Sequence, residues 1–258
     1  NMPRVTYEGY GEMSDVCIKR KIRNRLLDAG ENIFVQSDDK CIDKCKSLKA
    51  RAEANEAFGA ELKKGKKADA QRGYEIACKE WMDVRSFGQV FAFKGSDLSL
   101  GIRGPVSVQP AFSVDPIDIT SMQITKSVNS EDKEGKSSDT MGMKHRVDFG
   151  VYILKGSINV QLSEKTGFTE EDAEKIKEAI RTLFVNDSSS ARPDGSMVMH
   201  KLYWWKHNCK IGQYSSHKVH NSIEIKKKEG VRNPRKIEDY EIICHELPGL
   251  AVEEYEGL

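Results

Sequence analysis

The chain of 258 residues carries 41 basic and 40 acidic side chains, which gives a formal net charge of +1. This length can form one large domain or two small ones with a buried core. The balance of 38% hydrophobic and 31% charged residues is typical of a soluble globular protein, and no apolar run approaches the roughly 20 residues that a membrane helix needs. Because the net charge is near zero, only the distribution of the charges can indicate a nucleic-acid partner.

The first predicted element is a helix between the N-cap pair Ser14-Asp15 and Gly30. Its apolar residues recur at i, i+4 and i+8, as a buried helix stripe does: Ile18, Ile22 and Leu26. It also carries five cations with no acid among them: Lys19, Arg20, Lys21, Arg23 and Arg25. Like charges four residues apart destabilise a helix by roughly a few tenths of a kcal/mol, which an anionic partner would offset. The clustering therefore favours phosphate binding over a solvated face.

Residues 38–82 predict a helical insertion. Residues 38–64 are rich in Lys, Glu and Ala and lack proline, which predicts one long polar helix. Residues 68–82 predict a second helix with a buried stripe: Tyr74, Cys78 and Trp81. Mixed charges along both segments indicate a solvated surface rather than a binding surface.

Several strands follow the insertion. Apolar and polar residues alternate over residues 102–109, which predicts a half-buried strand, and nearby prolines place it near a sheet edge. Residues 147–159 are rich in β-branched and aromatic side chains and predict one long strand through the middle of a sheet. A helix is predicted from Thr169, and three later strands at residues 197–205, 219–227 and 240–244. The order of elements predicts an α+β fold of the ferredoxin-like or RNA-recognition-motif type.

Residues 120–146 predict a hairpin or loop that leaves the sheet and returns to it. Met141 and Met143 flank a glycine, and the basic triplet Lys144-His145-Arg146 follows at once. Flexible apolar side chains beside cations could wedge between bases and hold phosphates. The alternative is an ordinary loop that leads into a core strand. The serine-rich loop at residues 188–195 has the same two interpretations, a phosphate site or a plain connection.

Motifs for catalysis and metal binding are missing from the sequence. It contains no Walker loop and no GxGxxG, GxSxG or HExxH pattern, and its six cysteines include no CxxC pair. We therefore predict no metal, no cofactor and no catalytic residue. Reduced thiols in a cytoplasmic protein are the simpler account of the cysteines.

Several segments, in chain order, resemble the backbone subunit of CRISPR Cascade complexes, most closely the type I-C form (the Cas-seven family, Csd-two branch): residues 16–24, 87–91, 102–106, 141–159 and 190–195. The resemblance implies a single RNA-recognition-like palm over residues 1–258. A helical insertion would span about residues 38–82, and a protruding β-hairpin thumb about residues 122–146. Members of this family begin with a strand that would precede Asn1, so we expect that strand to be missing from this chain.

The resemblance also implies a function. Copies would bind the spacer part of a crRNA independently of its sequence, stack head to tail along it with other Cascade subunits, and present it to a target DNA strand. Type I backbone subunits are non-catalytic, and the antiviral complex has no membrane partner. The alternatives are a metal-dependent ribonuclease of a related effector complex and a stand-alone RNA-binding protein.

We predict RNA contacts at residues of the basic helix, of the thumb and of the segments between and after them. Met141 and Met143 are the candidate wedge residues of the thumb. The full set comprises Lys19, Arg20, Lys21, Arg23, Asn24, Arg25, Arg85, Gln89, Arg103, Lys126, Met141, Met143, Lys144, His145, Arg146, Ser190 and Arg192.

Overall fold

The computed structural model describes residues 2–128 and 141–258, so the tip of the predicted hairpin lies outside the described residues. The helices of the described residues are α1 Asp15–Asp28, α2 Leu48–Ala54, α3 Glu56–Leu62, α4 Ala70–Glu80, α5 Met82–Phe87, α6 Val160–Thr166, α7 Glu170–Arg181 and α8 Ser216–His220. The strands are β1 Tyr10–Met13, β2 Gly88–Ala92, β3 Ser99–Arg103, β4 Val106–Val108, β5 Ala111–Pro116, β6 Ile119–Thr125, β7 Met141–Val147, β8 Tyr152–Ile153, β9 Gly156–Ile158, β10 Lys201–Trp205, β11 Ile223–Lys227, β12 Tyr240–Cys244 and β13 Val252–Glu256.

The chain divides into two compact units. The described part of the first unit comprises residues 2–14, 110–128, 141–155 and 221–245. Its strands form a three-stranded antiparallel sheet in the order β1-β5-β8 and two antiparallel pairs, β6 with β7 and β11 with β12. In the sheet, the N–H of Gly11 donates to Ser113 Oγ at 2.8 Å. A side chain at Gly11 would collide with the ring of Tyr152, so this position needs glycine for the close approach of β1 to its neighbours.

The second unit comprises residues 15–109, 156–220 and 246–258. Its strands pair as β2 with β3, β4 with β9 and β10 with β13. Its core is an aromatic cluster of four buried rings: Phe34, Phe58, Trp81 and Phe91. Ring centroids of Phe34 and Trp81 are 4.7 Å apart, and those of Phe58 and Phe91 are 4.8 Å apart, the spacing at which aromatic pairs attract beyond their burial.

A buried carboxylate joins α1 to this core. Asp83, at the start of α5, has a fully buried side chain and accepts hydrogen bonds from the N–H groups of Phe34 (2.7 Å) and Val35 (3.1 Å). It also accepts from Arg23 Nε of α1 at 2.9 Å. The N–H groups and the guanidinium satisfy a charge that burial would otherwise make costly.

The predicted first helix is confirmed as α1, with its stripe of Ile18, Ile22 and Leu26 fully buried. Gly30 lies just beyond it at φ +88°, the left-handed conformation that commonly ends a helix. The predicted helix from Thr169 is confirmed as α7, which begins with a capping box between Thr169 and Asp172.

The single long helix predicted over residues 38–64 is wrong. Asn55 separates α2 from α3, and its side chain caps α3 by accepting from the N–H of Phe58 at 2.9 Å. Residues 41–47 form a loop held by Arg51, which donates to Asp43 at 2.8 Å and to Phe34 O at 2.8 Å. These Arg51 hydrogen bonds hold the pKa of Asp43 well below its ordinary value. The insertion is also more than a solvated surface, because it contributes Phe58 to the core.

The long central strand predicted over residues 147–159 is wrong as well. β7 ends at Val147, and the two short strands that follow pair in different units, β8 with β5 and β9 with β4. The strand predicted over residues 102–109 is divided in the same way into β3 and β4, because Gly104 and Pro105 interrupt it. A strand at Val252–Glu256, which the sequence did not predict, pairs with β10.

The mixed α+β class is confirmed, whereas the continuous RNA-recognition-like palm stays a prediction. Among the described residues the strands form one three-stranded and five two-stranded sheets. The local sequence patterns therefore predicted individual helices and strands better than the expected sheet order predicted how the strands pair.

We expect Asp83→Ala to destabilise the protein by about 3–5 kcal/mol, because it leaves Arg23 and two buried N–H groups without their acceptor. Asp83→Asn, which keeps an acceptor, should have a smaller effect. Urea denaturation followed by circular dichroism measures both changes. Asp194→Ala, at an exposed position, is the control and should stay within about 0.5 kcal/mol of the unmodified protein. A loss below about 1 kcal/mol for Asp83→Ala would contradict this account of the buried pair.

Candidate nucleic-acid interface

The antiparallel pair β6–β7 carries five of the predicted RNA contacts, all of them on β7. Its ladder runs from Ile119 opposite Val147 to Thr125 opposite Met141. Most residues of both strands are exposed to solvent. The two arms of the predicted hairpin therefore exist as a regular ladder, and its tip lies outside the described residues.

Strand alternation sorts the side chains of this ladder onto two faces. One side, which we call the cationic face, combines Lys144 and Arg146 of β7 with Met122 and Ile124 of β6. Arg146 Nη1 lies 4.0 Å from Met122 Sδ, as expected for side chains on one face. Met122 and Ile124 are 40% and 49% exposed, so the cations border an accessible apolar surface.

The other side, which we call the methionine face, holds Met141, Met143 and His145. Ser121 Oγ and His145 Nδ1 are 2.8 Å apart, and Gln123 Nε2 donates to Met141 Sδ at 2.6 Å. Met141 and Met143 are 66% and 51% exposed. Both faces thus present flexible apolar groups to solvent, but only one presents lysine and arginine.

This sorting separates the methionines of residues 141–146 from the cations that follow them, and the assignment of Met141 and Met143 as wedge residues stays a prediction. The sequence places Met141 and Met143 directly before Lys144 and Arg146, but alternate residues of a strand point to opposite sides of the sheet. On the face of the two cations, Met122 lies opposite Lys144 and Ile124 lies opposite Gly142. The sequence alone did not indicate either of these apolar residues. The alternation of odd and even residues along 141–146 already predicts that the methionines and the cations lie on opposite faces. Which residues of β6 lie opposite them follows only from the strand register.

Asp148, just after β7, anchors the cationic face. Its carboxylate accepts from Arg146 Nε at 2.7 Å and from Thr120 Oγ1 at 2.7 Å. The hydrogen bond from Arg146, and then that from Thr120, hold the pKa of Asp148 below its ordinary value. Lys126, beyond the end of β6, is exposed.

The cations of α1 have acidic partners within the second unit, which the sequence analysis did not anticipate. Lys21 is buried, forms an ion pair with Asp187, and lies 5.5 Å from the centroid of the Phe184 ring. Arg23 is paired with the buried Asp83 and stacks over Phe87 with its guanidinium carbon 4.9 Å from the ring centroid. These two side chains stabilise the fold.

The remaining cations of α1 also have partners. Lys19 pairs with Asp15 at 3.0 Å, and Arg25 with Asp28 at 3.1 Å. Arg20 Nη1 donates to Val35 O at 2.7 Å, and burial lowers the pKa of Arg20. Internal acids thus offset the like-charge repulsion along the helix, so that repulsion no longer argues for an external anion.

Arg85 and Arg192 are likewise bound to carboxylates. Arg85 forms a bidentate pair with Asp172, at 2.9 Å from Nε and 2.7 Å from Nη2. Burial of Asp172 opposes its ionisation, but Arg85 keeps its pKa below the ordinary value. Arg192 Nε is 3.4 Å from Asp187, the carboxylate that also pairs with Lys21. Asp187 therefore links the serine-rich loop to α1.

The other predicted RNA contacts of the second unit differ in their exposure to solvent. Asn24 and Gln89 are half-buried, whereas Arg103 and Ser190 are exposed.

Among the described residues no group of three or more His, Cys, Asp or Glu side chains could hold a metal ion, and no described helix is long and apolar enough to cross a membrane.

Comparisons with known proteins address the identity of this chain. The comparison with curated proteins finds no match. Among solved structures, a chain described as "CRISPR RNA-guided surveillance complex, pre-nicking" is similar, with 17% identity, a TM-score of 0.45, and coverage of 74% of this chain and 67% of that chain. The family model of CRISPR-associated protein Cas7 matches residues 1–245. Since this match covers nearly the whole sequence, the chain belongs to the family of CRISPR-associated protein Cas7.

Proposed function

We propose that this protein is a non-catalytic backbone subunit of a CRISPR Cascade surveillance complex, of the type I-C form. It binds the spacer part of crRNA independently of sequence and polymerises head to tail along it. Together with other Cascade subunits in the cytoplasm, the polymer presents the guide to a target DNA strand in antiviral defence. Membership in the family of CRISPR-associated protein Cas7 supports this proposal.

The single observation that carries the proposal is the cationic face of the β6–β7 ladder. Lys144 and Arg146 are exposed there beside Met122 and Ile124. Cations that bind phosphates give affinity without sequence information, and apolar side chains can enter between bases and unstack them. One face therefore offers both phosphate binding and base displacement, the two functions that a protein needs to bind RNA independently of sequence and to displace bases at regular intervals.

The helix α1 has a different role in this proposal. Its paired side chains, Lys21 and Arg23, position the helix, while Lys19 and Arg20 are half-buried and retain some accessible surface. We propose that RNA contacts of the second unit are made by these partly accessible groups together with the exposed Arg103 and Ser190.

We expect the double variant Lys144→Gln/Arg146→Gln to bind a 30-nucleotide RNA about tenfold more weakly at 150 mM salt, because two phosphate contacts are lost. The slope of log K against log salt should fall by about 1.4, or roughly 0.7 for each contact with a single strand. Fluorescence anisotropy at four salt concentrations measures both quantities.

The matched control for this pair is Lys94→Gln/Lys165→Gln, which removes the same charge from exposed positions of the second unit. It should leave both affinity and salt slope nearly unchanged. Equal effects of the two double variants would mean that RNA responds only to net charge, and the cationic face would lose its assigned role.

The two faces of the ladder also give different predictions for base displacement. We expect Met122→Ser/Ile124→Ser to abolish the fluorescence increase of 2-aminopurines placed along the RNA, because these side chains lie beside the phosphate-binding cations. Met141→Ser/Met143→Ser should retain it. The opposite pattern would assign the wedge to Met141 and Met143, and no change in either variant would exclude both faces.

Native mass spectrometry with RNAs of graded length tests the polymer itself. A backbone subunit should give complexes whose protein copy number rises in steps with RNA length, whereas a stand-alone RNA-binding protein should bind without such steps. Incubation of the same complexes with Mg²⁺ and labelled RNA tests the remaining alternative. Cleavage that a single Asp→Ala change abolishes would identify a ribonuclease and overturn the non-catalytic assignment.

A further inference from the structure

The connection between β11 and β12 is the most basic stretch of the first unit. Residues 226–236, which we call the basic loop, contain six cations and one acid, Glu229. This gives the loop a charge of +5 and leaves −4 for the rest of a chain whose net charge is +1. The basic loop contains no aromatic residue.

Backbone hydrogen bonds hold the basic loop in place. The N–H of Lys228 donates to Asp239 O at 2.9 Å, and the N–H of Val231 donates to Lys228 O at 3.1 Å. The Asp239 carboxylate accepts from the N–H groups of Arg235 (2.8 Å) and Lys236 (3.2 Å). The nearby acid is thus engaged mainly by backbone amides rather than by the cationic side chains.

Two of the six cations form salt bridges with carboxylates, and four do not. Lys226 lies 3.8–3.9 Å from Glu224 and Glu241, and Lys227 lies 3.1 Å from Asp115. The other four are exposed and form no salt bridge within 4.0 Å to any residue that the structure describes: Lys228, Arg232, Arg235 and Lys236. This contrasts with α1, where Lys19, Lys21, Arg23 and Arg25 are each paired with an acid.

The basic loop is connected to the cationic face of the ladder. Arg235 attracts Asp148 electrostatically, and Asp148 is the carboxylate that Arg146 binds at 2.7 Å. The rings of Phe149 and Tyr240 also stack, with centroids 6.5 Å apart, which joins the end of β7 to β12. The charge of Arg235 therefore acts in the same direction as that of Arg146 and helps to lower the pKa of Asp148.

We propose that the basic loop is a second phosphate-binding surface, which holds a nucleic-acid strand alongside the contacts of the β6–β7 ladder. Unpaired, exposed cations spaced along a loop fit a polymer of regularly spaced phosphates, and release of counterions drives such binding. An acidic protein partner would be expected to find aromatic anchors as well, and this loop contains no aromatic residue. The inference rests on the proposed function for its polymeric setting, but the cations of the basic loop are not those of the ladder and can be removed separately.

The test compares two quadruple variants of the full chain that remove the same charge. Lys228→Gln/Arg232→Gln/Arg235→Gln/Lys236→Gln removes the unpaired cations of the basic loop. The control, Lys46→Gln/Lys79→Gln/Lys94→Gln/Lys165→Gln, removes four exposed lysines scattered over the second unit. Thermal unfolding by circular dichroism verifies that both fold, and the single variant Arg232→Gln provides a milder change if the quadruple variant does not.

Two binding measurements distinguish the possible strands. The first is the affinity for a 30-nucleotide RNA, and the second is the affinity of the assembled protein–RNA complex for a complementary single-stranded DNA. We expect the loop variant, but not the control, to lose at least tenfold affinity in one of the two, with a salt slope lower by about 3, roughly 0.7 for each of four contacts. A loss in the first measurement assigns the loop to the guide, and a loss in the second alone assigns it to the target.

Unchanged affinity and slope in both measurements would overturn the proposal and leave the loop to an acidic protein partner. That outcome is separable from failure of the proposed function. If Lys144→Gln/Arg146→Gln weakens RNA binding while the loop variant does not, only the second surface is lost. If neither variant has an effect, both proposals fail.

Discussion

The buried carboxylate of Asp83 is the interaction on which the second unit depends. It is fully buried, and its ligands come from α1 through Arg23 and from the chain segment that carries Phe34 into the aromatic core. A charge in this position is tolerated only with such partners. Because one carboxylate accepts hydrogen bonds from α1 and from the segment that carries Phe34, it fixes the orientation of the helix relative to the aromatic core. The buried cations of α1, Lys21 and Arg23, therefore stabilise the fold.

This constraint changes how clustered cations should be interpreted. α1 and the basic loop look alike in the sequence, since each concentrates positive charge in a short stretch. In α1 the partners are acids far away in the chain, such as Asp83 and Asp187. The four outer cations of the basic loop form no salt bridge with any acid that the structure describes. Clustering in sequence thus indicates phosphate binding more strongly where the structure leaves the charges exposed and without an acidic partner.

The sequence was sufficient for elements whose signals are local. The stripe and terminal glycine of α1 and the capping box of α7 each lie within a few residues of the element they define. Prediction failed where distant contacts decide the outcome, because nothing local shows that Arg51 fixes residues 41–47 as a loop. The same holds for residues 147–159, where β8 and β9 pair in different units.

In the candidate site, too, some features follow from local sequence and others depend on distant contacts. The two faces of residues 141–146 follow from strand periodicity, but the pairing of Met122 with Lys144 depends on the register. With most cations of α1 paired internally, the proposed RNA affinity of one copy comes from few exposed cations, and a few phosphate contacts give weak binding at physiological salt. Joining many copies along one strand converts such weak contacts into stable binding, since each later contact is intramolecular. Under the proposed function, a nearly neutral chain would hold RNA firmly as a polymer, whereas a single copy would bind it only weakly.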